Sequence, residues 1–120
     1  MGMIAAVLIA SGIAVSWAAE ATARGKLGLN SFVGIRVGYV THSPAAWLAG
    51  HRAARWPTHA AAGVFVICGI LVLVLKPTDE LSAWIAIGAC LAALAGGIAA
   101  AVRASRAAEL VVVHDADRPA

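Results

Sequence analysis

Ten side chains could serve as acids, bases or metal ligands, namely six acidic residues and four histidines. A catalytic site needs a nucleophile with a base, paired carboxylates or a cluster of ligands. The acidic residues form no such pair, and all of them lie near the ends of apolar runs or in the C-terminal tail: Glu20, Asp79, Glu80, Glu109, Asp115 and Asp117. We therefore expect no enzyme activity and no cofactor.

Three of the histidines, His42, His51 and His59, fall within one stretch of 18 residues. Their spacings of nine and eight residues differ from those of a helical pair of metal ligands. The pattern favours histidines at a membrane interface over a metal site.

The glycines between residues 25 and 38 resemble a phosphate-binding loop only superficially. Gly25, Gly28, Gly34 and Gly38 match neither the P-loop nor the dinucleotide-binding spacing, so they indicate tight turns or close approach of the backbone. No run of basic residues interleaved with aromatic ones is present, which argues against a nucleic-acid partner.

The composition is that of a membrane protein. Hydrophobic residues make up 62% of the chain and charged residues only 12%, too few to cover a soluble globule. Three apolar runs predict transmembrane helices at about residues 1–19, 57–75 and 81–102, since about 20 apolar residues span a bilayer. No ionisable residue lies near the middle of a run, which argues against a proton or ion path.

The predicted fold is therefore all-α, with a transmembrane domain at 1–106, a loop at 20–56 and a tail at 107–120. Only residues 76–80 separate the second and third helices, so these two must form an antiparallel hairpin. The tail could form a last helical turn, an interfacial strand or a disordered segment, and the sequence does not decide among these three structures. The small residues that recur every four positions in the third helix suggest close packing against other helices.

Positive charge predicts the orientation. Five of the nine basic residues lie in the first loop and three follow the third helix, whereas Lys76 alone lies in the second loop. Because basic loops stay in the cytoplasm, the N-terminus should lie outside the cell and the C-terminus in the cytoplasm, with the helices in the plasma membrane. A cleaved signal peptide is the alternative for the first run, but it lacks a basic start, and cleavage would place the five-charge loop outside.

The first loop also predicts a short amphipathic helix over residues 44–56. Ser43 followed by Pro44 is a helix start, and Pro57 should kink or break the path into the next helix. Trp47, His51 and Arg55 share one face of this helix, with Arg52 beside them. Such a helix could rest on lipid head groups or could recognise a partner, and both interpretations remain open.

This loop resembles the SdpI-like family of small bacterial membrane proteins. The resemblance runs from residue 25 to residue 54 and rests on Asn30, Gly34, Ile35 and Arg36, followed by Ser43, Trp47 and the pair His51 and Arg52. The sequence departs from the family at Val37 and Val40, where threonines are usual, and at residues 44–46, where acidic residues are usual.

The founding member of that family is an immunity protein against a secreted toxic peptide. The resemblance therefore implies a non-enzymatic role in peptide-toxin immunity or signalling, with membrane lipids and a membrane or cytoplasmic protein as partners. We expect the binding residues to be Asn30, Gly34, Arg36, Ser43, Trp47, His51, Arg52 and Arg55. The alternative is a small structural accessory subunit of a larger membrane complex.

Overall fold

The computed structural model describes residues 2–118, which form three long α-helices. Helix α1 is Gly2–Ala23, α2 is Pro44–Leu75 and α3 is Asp79–Ala116, with one 3₁₀ turn at Gly38–Thr41. Each helix is long and apolar enough to cross a membrane, and residues 2–118 contain no strand. The expected all-helical, multi-pass membrane fold is confirmed.

Helix α2 is the central element, because α1 and α3 pack on it from two sides and scarcely touch each other. Small residues allow the close approach. A Cβ atom built on Gly12 would lie 2.7 Å from the carbonyl oxygen of Ala62, and one on Gly69 would lie 3.0 Å from that of Ala5. Glycine is therefore required where the α1 and α2 backbones meet.

A tight connection joins α2 to α3, as the short second loop predicted. Lys76 ends α2 in the left-handed conformation, and its N–H donates to the carbonyl of Val72. Thr78 caps α3 by accepting a hydrogen bond from the N–H of Leu81. Gly96 of α3 lies against Ala61 of α2, so the two helices form the expected hairpin.

The separate amphipathic helix predicted for the first loop is absent. Residues 44–56 are helical, but they form the first part of α2, which continues through Pro57 without a break. Proline removes one hydrogen bond from a helix. Here α1 and α3 pack along both sides of α2, and this tertiary packing holds the two parts together. The prediction of a break at Pro57 was wrong because it considered only the local sequence.

Helix α3 extends well beyond its uncharged part. Ala104 and Ala108 are fully buried in a cluster that also contains Val40 and Trp47, and Val112 packs against this cluster. Much of the predicted tail at 107–120 is thus helical and packed against α2 and the 3₁₀ turn, while residues 119 and 120 lie outside the described part.

Three tryptophans, Trp17, Trp56 and Trp84, are exposed on the helix surfaces near the ends of the apolar runs. An amphipathic indole is most stable at the boundary between lipid tails and head groups. Their positions support uncharged spans at about 2–19, 60–75 and 81–102.

Candidate functional site

The first loop begins where a glycine ends α1. Gly25 has a φ of +76°, and the N–H of Gly25 and of Lys26 donate to the carbonyls of Thr22 and Ala21. This is the Schellman arrangement, in which a left-handed glycine lets the chain turn back on the last helical turn. The loop thereby starts folded against the helix end.

Asn30 organises the next turn through its side-chain amide. Its oxygen accepts hydrogen bonds from the N–H groups of Phe32 and Val33, both at 2.8 Å, while its nitrogen donates to the carbonyls of Gly28 and Val33. The guanidinium of Arg36 donates to the carbonyl oxygen of Asn30. Two residues of the sequence motif therefore stabilise the loop itself.

Trp47 and His51 fix the loop to α2. The Trp47 side chain is 2% exposed, and its Nε1 donates to the carbonyl of Leu27 at 3.1 Å. Nε2 of His51 accepts a hydrogen bond from the N–H of Ile35 at 2.8 Å. Gly34 lies directly against both rings, since a Cβ there would be 2.6 Å from the Trp47 ring and 2.8 Å from the His51 ring. These three motif residues form one contact.

The hydrogen bonds of His51 require a neutral ring. Because Nε2 accepts from Ile35, the proton of the neutral imidazole must be on Nδ1, which lies 2.8 Å from the carbonyl oxygen of Trp47. Burial at the loop contact, outside the uncharged spans, lowers the pKa of His51 from its usual value, and the bond to the Trp47 carbonyl opposes this only in part. The His51 side chain is thus buried against the loop. From the sequence we had expected it to face the membrane interface.

Two arginines, Arg52 of the motif and Arg55 just after it, tie α2 to the end of α1. Nε of Arg52 donates to the carbonyl of Ala23, an otherwise unsatisfied group at the helix C-terminus. Arg55 forms a bidentate ion pair with Glu20, at 2.6 Å and 2.9 Å. Arg24, one turn beyond Glu20, donates to the same carboxylate at 2.8 Å.

The sequence analysis missed a polar chain that continues from Glu20 towards the apolar part of α1. Nε2 of His59 lies 2.7 Å from Oε1 of Glu20, and Nδ1 of His59 lies 2.6 Å from the hydroxyl of Ser16. Glu20 is the only acidic residue before Asp79. A lone carboxylate at the end of an uncharged run, with an excess of arginines nearby, was the signal that could have revealed this pairing.

The predicted site residues therefore fall into separate groups. One group is the contact of Gly34 with Trp47 and His51. A second group is the hydrogen-bonded pair of Asn30 and Arg36. The third group consists of Arg52 and Arg55, which face α1. Ser43 lies apart from them at the start of α2, where its hydroxyl accepts a hydrogen bond from the N–H of Ala46. Most of these side chains hold the loop in place.

The loop also presents a surface that the motif did not predict. The Phe32 side chain is 92% exposed, although the backbone on both sides of it is held by Asn30. Val37 and Tyr39 of the same loop are also exposed, and so is Arg36. The loop thus exposes both apolar and basic side chains.

Comparison with known proteins matches the chain to the SdpI/YfhL protein family over residues 26–108, more than two thirds of its length. The chain belongs to this family. The SdpI/YfhL match covers the first loop after Gly25, all of α2 and most of α3, and leaves α1 with Ser16 and Glu20 outside it. Searches of curated proteins and of solved structures gave no match.

Proposed function

We propose that this SdpI/YfhL protein gives immunity to a toxic peptide, or transmits a signal, by binding a protein partner through its first loop. It would act without catalysis in the bacterial plasma membrane, with the loop and the C-terminus in the cytoplasm. The observation that carries the proposal is Phe32, an exposed aromatic side chain on a loop that several motif residues hold in one conformation.

The internal bonds of the loop support recognition over simple connection. A flexible link between α1 and α2 would need neither the Asn30 turn nor the contact of Gly34 with Trp47 and His51. Preorganisation of a binding loop lowers the entropy that is lost when a partner binds. The loop also exposes Phe32 and Arg36, and both aromatic residues and arginine are enriched at protein interfaces.

The test is a protection assay. Bacteria sensitive to the secreted peptide that the founding family member neutralises would express the wild-type chain, a Phe32→Ser variant or an Arg106→Gln variant. Phe32→Ser removes the exposed ring without touching the bonds of Asn30, and Arg106→Gln changes another exposed position. We expect survival with the wild type and with Arg106→Gln, and loss of survival with Phe32→Ser at equal membrane levels.

If the wild-type chain does not protect the bacteria, the immunity role is contradicted and only the signalling role is left. A partner-capture assay, which identifies proteins bound to the chain, then tests the signalling role. In that assay, the same Phe32→Ser variant should lose the captured protein. If both the protection and the capture are unchanged by Phe32→Ser, the loop surface is not the binding site.

The second candidate is an accessory subunit, which one observation on α3 favours. A Cβ atom built on Gly88 would meet nothing within 4 Å, so another helix has room to approach α3 at this residue. Purification in a mild detergent separates the two candidates. A stable complex of fixed stoichiometry that Gly88→Leu disrupts would support the subunit role, and a chain that purifies alone would count against it.

A further inference from the structure

A cleft follows one side of the contact between α1 and α2. Its volume is about 580 Å³, and its walls include Gly12, Ile13 and Ser16 of α1 and Ala62, Gly63 and Val66 of α2. This volume lies in the range of clefts that bind small molecules. The cleft is also lined by Trp17 and by two polar residues, Glu20 and His59. Because His59 is hydrogen-bonded to both Ser16 and Glu20, the apolar walls remain free for a hydrocarbon chain.

The cleft opens at a basic mouth. A second cleft of about 250 Å³ shares Trp17 and Glu20 with the first and is also lined by Arg24 and Lys26. The two clefts therefore adjoin at these shared residues, and the lining changes from apolar along the helices to basic at the end of α1. A molecule with an apolar tail and an anionic head fits this arrangement, with the tail along the helices and the head at the basic end.

The charges at the mouth favour an anion. Among the described residues that line the two clefts, Glu20 is the single carboxylate, and Arg55 and Arg24 already bind it. Lys26 is exposed, and the Arg24 side chain is 59% exposed, so both cations can reach a further anionic group. Trp17, which is 61% exposed, lies where the apolar and basic parts meet, the depth at which indoles contact lipid head groups.

We propose that this cleft is a specific site for one anionic phospholipid. The acyl chain lies along Gly12 and Gly63, and the phosphate binds Arg24 and Lys26. The site is separate from the Phe32 surface and does not depend on the proposed immunity or signalling role. A free phosphate would use only the mouth, so the apolar walls distinguish the lipid from a soluble anion.

A cleft-filling variant tests the tail of the site. A Cβ on Gly63 would meet nothing within 4 Å, so Gly63→Leu should fill the cleft without displacing the α1 backbone. Gly97→Leu is the matched control, because Gly97 is equally open but lies on α3. Each protein would be purified in micelles containing equal amounts of phosphatidylglycerol and phosphatidylcholine, and retained lipid would be counted by native mass spectrometry.

We expect the wild type and Gly97→Leu to retain one phosphatidylglycerol per chain, and Gly63→Leu to lose it. Circular dichroism would verify that both variants keep their helical content. Equal retention by Gly63→Leu and the wild type would overturn the proposal, and so would equal retention of the two lipids by the wild type.

A charge variant tests the head of the site. Arg24→Gln combined with Lys26→Gln should reduce the preference for phosphatidylglycerol by roughly tenfold or more, since each basic residue near an anionic surface contributes about 1 kcal/mol. Arg103→Gln combined with Arg106→Gln removes the same charge from α3 and should leave the preference unchanged. Lys26→Gln alone, which spares the ion pair of Arg24, should give a smaller loss.

Inorganic phosphate separates a lipid site from a simple anion site. Millimolar phosphate should not displace the bound phosphatidylglycerol, because the acyl chain holds it in the cleft. Displacement by phosphate, or an equal loss of preference in the Arg103 and Arg106 variant, would contradict the proposal.

Discussion

The carboxylate of Glu20, near the end of α1, accepts two hydrogen bonds from the guanidinium of Arg55 on α2, at 2.6 Å and 2.9 Å. The two residues are 35 positions apart in the sequence. Because a guanidinium and a carboxylate match as two planar forks, this pair fixes orientation as well as distance. It therefore sets the register of α1 against α2 at the charged end of both helices.

Loss of this pair should loosen α1. We expect Glu20→Gln and Arg55→Gln each to lower the thermal unfolding midpoint in detergent micelles. The double variant should be little worse than Glu20→Gln alone, which also removes the charge that Arg24 and His59 bind. Both changes remove the same interaction, so their effects should not add. Arg106→Gln, at an exposed position of α3, is the control and should leave the midpoint unchanged. Fully additive effects would show that the pair contributes nothing.

A methyl group at Gly34 should displace the loop. Gly34 has a φ of +121°, and a Cβ there would meet the rings of Trp47 and His51. Backbone strain of this kind costs about 1–3 kcal/mol, so Gly34→Ala should lower the free energy of unfolding by that amount. Gly28→Ala is the control, since a Cβ there meets nothing within 4 Å, and its effect should stay within about 0.5 kcal/mol. Equal effects of the two changes would contradict the packing described for Gly34.

Acidification should release the loop from α2. Burial lowers the pKa of His51 below its usual value of 6.5, so the unfolded chain binds a proton more readily than the folded one. The stability that neutral His51 provides is therefore complete above pH 6.5 and is lost as the pH falls from there towards the lower pKa of the folded state. The protonated ring can no longer accept the hydrogen bond from Ile35.

Hydrogen exchange at the Ile35 amide measures this release. Its protection, corrected for the intrinsic pH dependence of exchange, should fall with pH in the wild type. In His51→Gln the protection should be low at every pH, while His42→Gln, at an exposed position, should behave as the wild type does. A protection factor for Ile35 that is independent of pH in the wild type would argue against the role of His51.

Removal of the end of α3 should destabilise the first loop. A chain that ends at Arg106 lacks Ala108 and Val112, which pack with Val40 and Trp47. The lost burial is worth roughly 1–3 kcal/mol, and Trp47 fluorescence should report a more exposed ring at lower denaturant concentration. Because the other tryptophans also emit, Trp47→Phe would supply the background signal. A chain that ends at Ala116 keeps both packing residues and should match the full-length protein.

The sequence predicted the three apolar helices and the α2–α3 hairpin because run length and loop length are local properties. It also placed Trp47 and His51 on one face of a helix, since that follows from 3.6 residues per turn. It could not predict that the residues before Pro57 continue into the same helix, because the packing that holds them comes from α1 and α3.

The roles of the motif residues likewise depended on contacts between distant parts of the chain. Spacing identified Arg55 as a candidate, yet only the fold shows that it faces Glu20 and not a partner. Ser16 and His59 are 43 positions apart, and nothing in their local sequence indicates a hydrogen bond.

The amino-acid sequence by itself determined that this chain is an all-helical membrane protein of the SdpI type, because hydrophobicity and motif spacing are written along the chain. The tertiary structure alone decided that the first loop is held against α2 by Trp47 and His51, and that one carboxylate, Glu20, joins α1 to α2. The physical reason is that glycine-mediated close packing and charge pairing act across space, between residues whose separation in the sequence carries no signal.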